Sequence, residues 1–175
     1  MRQNEHMKTT FIICGRPGSG KSTYAQQLAA ARKAVLLDID GSTERLVRLA
    51  LSESGHSADD RDSDYFKRTF REPIYETLFD IARQNLPWND VVIVGPFTRE
   101  IRDPGWPEKL VDRLGSAVEI HFVYCAPSAR KERLIKRGNP RDAAKLRDWE
   151  NHQGYYGEES PPVFPHTFVD MTGPL

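Results

Sequence analysis

The sequence predicts a three-layer α/β/α fold, a parallel sheet with helices on both faces. Three observations predict it. Short apolar runs rich in β-branched residues alternate with stretches of helical spacing. Those runs are apolar throughout rather than at every second position, as strands buried on both faces must be. The first of them passes at once into a glycine-rich turn that opens a helix. Crossovers between parallel strands are right-handed, so a doubly wound arrangement follows, with ligands beyond the carboxyl ends of the strands.

The elements follow in order. Met1 to Lys8 is polar and reads as a tail or tag remnant, so residues 9–175 are expected to form one domain. Thr10 to Cys14 reads as the first strand. Lys21 to Arg32, rich in alanine and glutamine, reads as a helix. Ala34 to Ile39 is a second strand ending in acids. Tyr65 to Gln84 has Phe66, Phe70, Ile74, Leu78 and Ile81 at helical spacing, and Pro73 kinks that helix or splits it in two. Val91 to Val94 is a strand of four β-branched residues. Trp106 to Leu114 reads as a helix starting near Pro107, and Val118 to Tyr124 as a strand. Ser128 to Lys136 and Arg141 to Gln153 read as two helices around Gly138-Asn139-Pro140. Thr167 to Asp170 is a short last strand.

Apolar residues make up 38% of the 175 and charged residues 29%, as in ordinary globular domains. No apolar run approaches the ~20 residues of a membrane span. Cys14 and Cys125 sit in apolar runs without metal-ligand spacing. They read as buried hydrophobes of a reducing compartment, so a cytoplasmic location is expected. Formal net charge is zero, which withholds the support a basic domain would give to nucleic-acid binding.

Gly15-Arg16-Pro17-Gly18-Ser19-Gly20-Lys21-Ser22 fits the phosphate-cradling pattern G-x-x-x-x-G-K-[ST]. By average residue usage the bare pattern arises in roughly one chain in two hundred of this length, and its place between strand and helix sharpens it. The glycines let several backbone N–H groups point inward. The helix N-terminus adds partial positive charge. Lys21 supplies a point charge for β- and γ-phosphates, and Ser22 Oγ a ligand for Mg²⁺. Thr23 is a further hydroxyl for the α-phosphate. No guanine-reading run is present, so ATP is the expected nucleotide.

Val35-Leu36-Leu37-Asp38-Ile39-Asp40 runs into two carboxylates beside this loop. Residues two apart on a strand face the same way, so both acids are expected to reach the cleft. A phosphotransferase needs a carboxylate there to take the proton of an attacking hydroxyl. Asp40 is assigned as that base. Asp38 is assigned to substrate or Mg²⁺, with the two roles exchangeable. The alternative is that one of them only caps the next helix, near Ser42-Thr43-Glu44.

Many phosphate-loop proteins end another strand in a Mg²⁺-positioning acid, but here Val94 leads into Gly95-Pro96. That argues against motor ATPases and GTPase switches. It also makes Gly95-Pro96 a place where substrate could approach the backbone. Arg99 and Arg102 follow as candidate contacts for an anionic substrate group. Arg133 and Arg137 lie four apart, and Arg141 and Lys145 repeat the spacing beyond Gly138. Residues 130–147 thus read as a lid that closes guanidiniums onto the transferring phosphoryl group. Trp149, His152, Tyr155 and Tyr156 read as packing, and His121, mid-strand, as structural.

With the loop, Asp40 and Arg133-x-x-x-Arg137-Gly138, residues 9–171 resemble the small P-loop kinases. Those include the 5′-kinase domain of phage polynucleotide kinase, chloramphenicol phosphotransferase, gluconate kinase and zeta-toxin-type kinases. The resemblance implies a P-loop NTPase fold with a five-stranded parallel sheet in the order 2-3-1-4-5. It also implies a helical lid, ATP with Mg²⁺, Lys21 and Ser22 on the phosphates and metal, Asp40 as base, and Arg133 and Arg137 in the lid. Polynucleotide kinases usually carry an arginine where this chain has Thr43, and an acid where it has Gly95-Pro96.

The expected activity is transfer of the γ-phosphoryl group of ATP to a hydroxyl. Segment 42–75, with Arg45, Arg48, Arg61, Lys67, Arg68 and Arg71, reads as the acceptor side, and Arg68 and Arg141 as acceptor contacts. Arginine density tilts the reading to a nucleic-acid or nucleotide hydroxyl, a DNA or RNA 5′-end or a hydroxymethylated base. A metabolite or antibiotic is the other acceptor class. A nucleotide-binding regulatory protein without transfer activity is the rival from a different class.

Overall fold

In a computed structural model, residues 7–151 and 160–173 are described. The strands are β1 (Thr9–Cys14), β2 (Val35–Asp38), β3 (Val91–Val94), β4 (Ala117–Tyr124) and β5 (Thr167–Asp170). They form one sheet in the order β2-β3-β1-β4-β5 with every pairing parallel. The order implied by the resemblance is therefore the order observed.

The continuous apolar runs divide between the two faces as the period of two requires. Ile12 and Cys14 of β1 and Val91 and Ile93 of β3 join a core with Leu78, Phe79, Trp106 and Leu110. Those partners come from α4 (Arg71–Asn85) and α5 (Trp106–Leu114). Phe11 and Ile13 of β1 and Val92 and Val94 of β3 face the other way, onto Ala25 and Ala29. These belong to α1 (Lys21–Arg32). A third cluster of Val47, Leu51 and Ile74, flanked by Ile39 and Phe66, joins α4 to α2 (Ile39–Glu53) and α3 (Asp64–Thr69) beside the sheet's β2 edge. Burial pushes the Cys14 thiol up to about 12, so it stays protonated and inert. His121 is buried, its Nδ1 2.7 Å from Tyr24 Oη, and desolvation lowers its pKa. No helix among the described residues is long and apolar enough to cross a membrane.

Of the two outcomes expected for 65–84, a kink or a split, the segment is split into two helices that meet at Phe70, and two other element expectations are corrected. The break precedes Pro73, which lies in the first turn of α4, where its missing N–H costs nothing. Ser63 starts α3 by accepting from the Phe66 N–H at 3.0 Å. The second strand stops at Asp38, and Ile39 already belongs to α2. The segment 141–153 is not one long helix. Pro140–Asp142 forms a 3₁₀ turn, then α7 (Ala143–Arg147) follows. His152, Tyr155 and Tyr156 lie outside the described residues. Trp149 is described and packs under the Arg130 guanidinium, 5.8 Å from its ring centroid.

Candidate active site

The carboxyl ends of β1, β2 and β3 open into a cleft of about 790 Å³. It is lined on one side by Pro17, Gly18, Gly20, Lys21, Ser22 and Thr23, and on the other by α2, α3 and the start of α4. Gly20, at φ +95, turns the chain into α1. Lys21 Nζ donates to the Arg16 carbonyl at 2.8 Å, which tethers the ammonium to its own loop. Desolvation there lowers the Lys21 pKa to about 8, against the pull of Asp40 and Asp38.

Not all of the loop faces this cleft. The Ser19 side chain is fully buried, and its hydroxyl has no hydrogen-bond partner among the described residues. Gly15 and Arg16 line a second cavity of about 170 Å³, together with Arg71, Pro96, Thr98, Arg99 and Arg102. Arg99 and Arg102 therefore stand across Pro96 from the larger cleft rather than in it. Arg102 donates to the carbonyls of Ser160 (2.9 Å) and Pro161 (3.2 Å), and Arg71 to Glu100 (2.8 Å). Arg68 is exposed on α3 and lines neither cavity.

The two acids do not share a strand face, contrary to expectation. Asp38 ends β2 and caps α2: its Oδ1 accepts from the N–H groups of Asp40 (2.9 Å) and Gly41 (3.3 Å). Its Oδ2 accepts from Ser22 Oγ at 2.7 Å. One carboxylate thus fixes the start of a helix and the hydroxyl of the phosphate loop together. Asp40 sits in the first turn of α2 and lines the cleft, half in solvent.

Why β3 ends without an acid has a steric answer. A Cβ at Gly95 would lie 2.9 Å from the Phe97 ring. Phe97, fully buried at φ +44, stacks on Tyr75 at 4.8 Å and tilts against Trp106 at 5.2 Å. The side chain absent at Gly95 makes room for the protein's own Phe97, not only for an approaching substrate.

The arginines are distributed by partner rather than by spacing. Arg133 reaches from α6 (Pro127–Arg137) to the carbonyls of Met171 (2.6 Å) and Gly173 (2.5 Å), and so ties α6 to the chain beyond β5. It also lines the cleft. Arg137 lines the cleft and donates to Asp142 at 2.5 and 2.9 Å. Arg141 holds both oxygens of Asp40 and donates to Glu44 at 3.0 Å. Glu44 also accepts from Arg61 at 2.9 Å, and Lys145 donates to Asp62 at 2.9 Å. Sequence reasoning missed Glu44 and Asp62 as site residues. Glu44 lies one helical turn after Asp40, a signal that is readable once α2 is known to begin at Ile39.

A family model described as an AAA domain matches residues 11–158. No curated protein matches the chain significantly. Among solved structures, a provisionally named kinase of Chloroflexus aurantiacus J-10-fl superposes with a TM-score of 0.67 at 18% identity, over 95% of this chain and 90% of that one. A sugar kinase of Janibacter sp. HTCC2649 gives 0.62 at 16%, over 96% and 87%. The APS kinase of Mycobacterium tuberculosis, solved with AMPPNP and APS, gives 0.59 at 19%, over 96% and 91%. At these identities the likeness is one of fold. The family model spans most of the chain, and with the phosphate loop and the 2-3-1-4-5 sheet it identifies the chain as a member of this AAA-domain family, with a P-loop NTPase fold.

Proposed function

We propose that the protein transfers the γ-phosphoryl group of ATP to an alcohol hydroxyl. The observation that carries this reading is that Asp40, Lys21 and Ser22 line one cleft, with Asp38 hydrogen-bonded to Ser22. Backbone N–H groups of the loop and Lys21 would hold the triphosphate. Ser22 Oγ and the Asp38 carboxylate are hard oxygen donors that fit Mg²⁺, held directly or through water. An ion held there would supply positive charge against the triphosphate.

Asp40 takes the proton of the acceptor hydroxyl as its oxygen forms the new bond to the γ-phosphorus. The bond from that phosphorus to the β,γ-bridging oxygen breaks, and ADP leaves. Arg137 would balance charge on the group in transit, and so would Arg141 once it leaves Asp40. Residues 130–147 serve as the lid, and segment 42–75 forms the acceptor side. The test is a transfer screen with γ-labelled ATP and Mg²⁺ against DNA and RNA ends, modified duplexes, nucleosides and sugars. Label on an acceptor hydroxyl is the expected result. A protein that binds MgATP yet neither transfers nor hydrolyses it would be a nucleotide-binding regulator instead.

Lys21 adds a pH dependence. Its ammonium loses its proton near pH 8 in the free protein, and phosphates favour the charged form. Binding then takes up a proton above that pH, so affinity is full below about 8 and falls as pH rises through it. MgATP affinity is expected to weaken by up to about tenfold per pH unit above 8, read by calorimetry from about pH 7 to 9.5. A flat profile across that range contradicts it.

A further inference from the structure

We infer that the acceptor is a small, uncharged alcohol with an apolar body rather than a polyanion. This rests on the phosphotransfer reading and concerns the part of the cleft beyond Asp40.

Charge comes first. Three cations line the cleft beside Asp40, Arg61, Arg141 and Lys145, and each is already ion-paired there, while Arg133, Lys136 and Arg137 line its α6 side. Arg61 is held by Glu44, Arg141 by Asp40 and Glu44, and Lys145 by Asp62. Three carboxylates match three cations, so this wall carries no net charge. The cations of these pairs are largely buried, at 9–14% side-chain exposure, so solvent screens them little. A nucleic acid binds by giving its phosphates to free lysines and arginines. Here it would have to displace a carboxylate from each cation and leave that carboxylate beside its own phosphates. Of the arginines of segment 42–75 that tilted the sequence toward nucleic acid, Arg61 is in the cleft and held by Glu44, and the rest lie outside it. Arg45 and Arg68 are exposed outside the cleft, and Arg48 pairs with Asp59.

Shape and polarity come second. Between the ion pairs the wall is apolar, built from Ile39, Val47, Phe66 and Ile74. These are the residues of the α2–α3–α4 cluster, so the fold's third core is left open to the cleft on one side. A wall of this kind favours a ligand that brings apolar surface and a few polar groups. Asp40 supplies the one hydroxyl contact the reaction needs. An uncharged acceptor can reach it by displacing Arg141 alone, because Glu44 still holds that guanidinium at 3.0 Å.

The test uses the full chain with AMPPNP and Mg²⁺. Fluorescein-labelled dT and rU 20-mers with free 5′-hydroxyls are followed by anisotropy at low and physiological salt. Binding no tighter than about 10⁻⁴ M is expected, the weak end of purely electrostatic association. Micromolar or tighter binding that weakens at least about tenfold between 50 and 200 mM salt overturns the inference. The neutral apolar dye Nile red probes the wall. Its affinity is expected to fall at least about fivefold in Phe66→Ser, which removes wall surface, and in Thr43→Trp, which fills the space from the exposed turn of α2. Dye binding unchanged in a folded Thr43→Trp also overturns it, even if Phe66→Ser fails to fold. Loss of AMPPNP affinity in the unmodified protein would instead sink the phosphotransfer reading, so the two failures are distinct.

Discussion

Asp40→Asn is expected to lower kcat for phosphoryl transfer by about 10²–10⁴-fold, the usual worth of a positioned general base. The substitution is nearly isosteric, and Asp40 is half exposed, so the fold should not notice it. Asp38, which caps α2 and holds Ser22, is untouched, so the MgATP dissociation constant should stay within about threefold. Arg141 loses a bidentate carboxylate but keeps Glu44. The paired variant Asp38→Asn should behave differently. It loosens the Ser22 hydroxyl and costs roughly 1 kcal/mol at the helix cap, so it should chiefly weaken MgATP binding and stability. Single-turnover transfer and equilibrium nucleotide titration on both variants separate the roles. If Asp38→Asn lost the chemical step and Asp40→Asn kept it, the assignments would be exchanged.

These two acids also show where sequence reasoning runs out. The loop was legible because its chemistry needs particular residues at fixed spacing, and the sheet because strands buried on both faces are apolar throughout. The start of α2 was not, because the β-branched Ile39 follows Asp38 as if the strand of Val35 to Leu37 ran on, and nothing in that pattern ends the strand at Asp38. Once the helix starts there, Asp40 and Glu44 lie one turn apart and both can meet Arg141. The lid arginines show a related limit. Their spacing places them on one helix face, but partner choice is tertiary. Arg133 was drawn to carbonyls beyond β5, and Arg137 to Asp142 across the Gly138 turn. A charge pattern can show which residues could balance a phosphoryl group. It cannot show which of them the fold has engaged otherwise, as with Arg61, which Glu44 already holds.

Gly15→Ala is expected to cost about 3–5 kcal/mol of stability, more than Gly18→Ala, whose new Cβ would lie 3.1 Å from the Leu134 side chain. Two terms add. At φ +142 the backbone occupies a region open essentially only to glycine, worth about 1–3 kcal/mol of strain. The new Cβ would also lie 2.3 Å from the Val123 carbonyl oxygen, a backbone atom of β4 next to β1 in the middle of the sheet. No rotamer relieves that contact, and overpacking of this kind costs about 1–3 kcal/mol or more. For a chain of this size the melting temperature should fall by roughly 6–20 °C. Gly55→Ala is the control, since Gly55 also has positive φ, +75, but nothing lies within 4 Å of its Cβ position. It should cost only about 1–2 kcal/mol of left-handed strain. If both variants melted alike, backbone conformation alone would set the cost, and the close approach of β1 to β4 would not matter. If Gly15→Ala melts far lower, the loop's first glycine is there for the sheet before it is there for the phosphates. Any folded fraction should then bind MgATP more weakly, because the only part free to move away from β4 is the loop that carries Lys21.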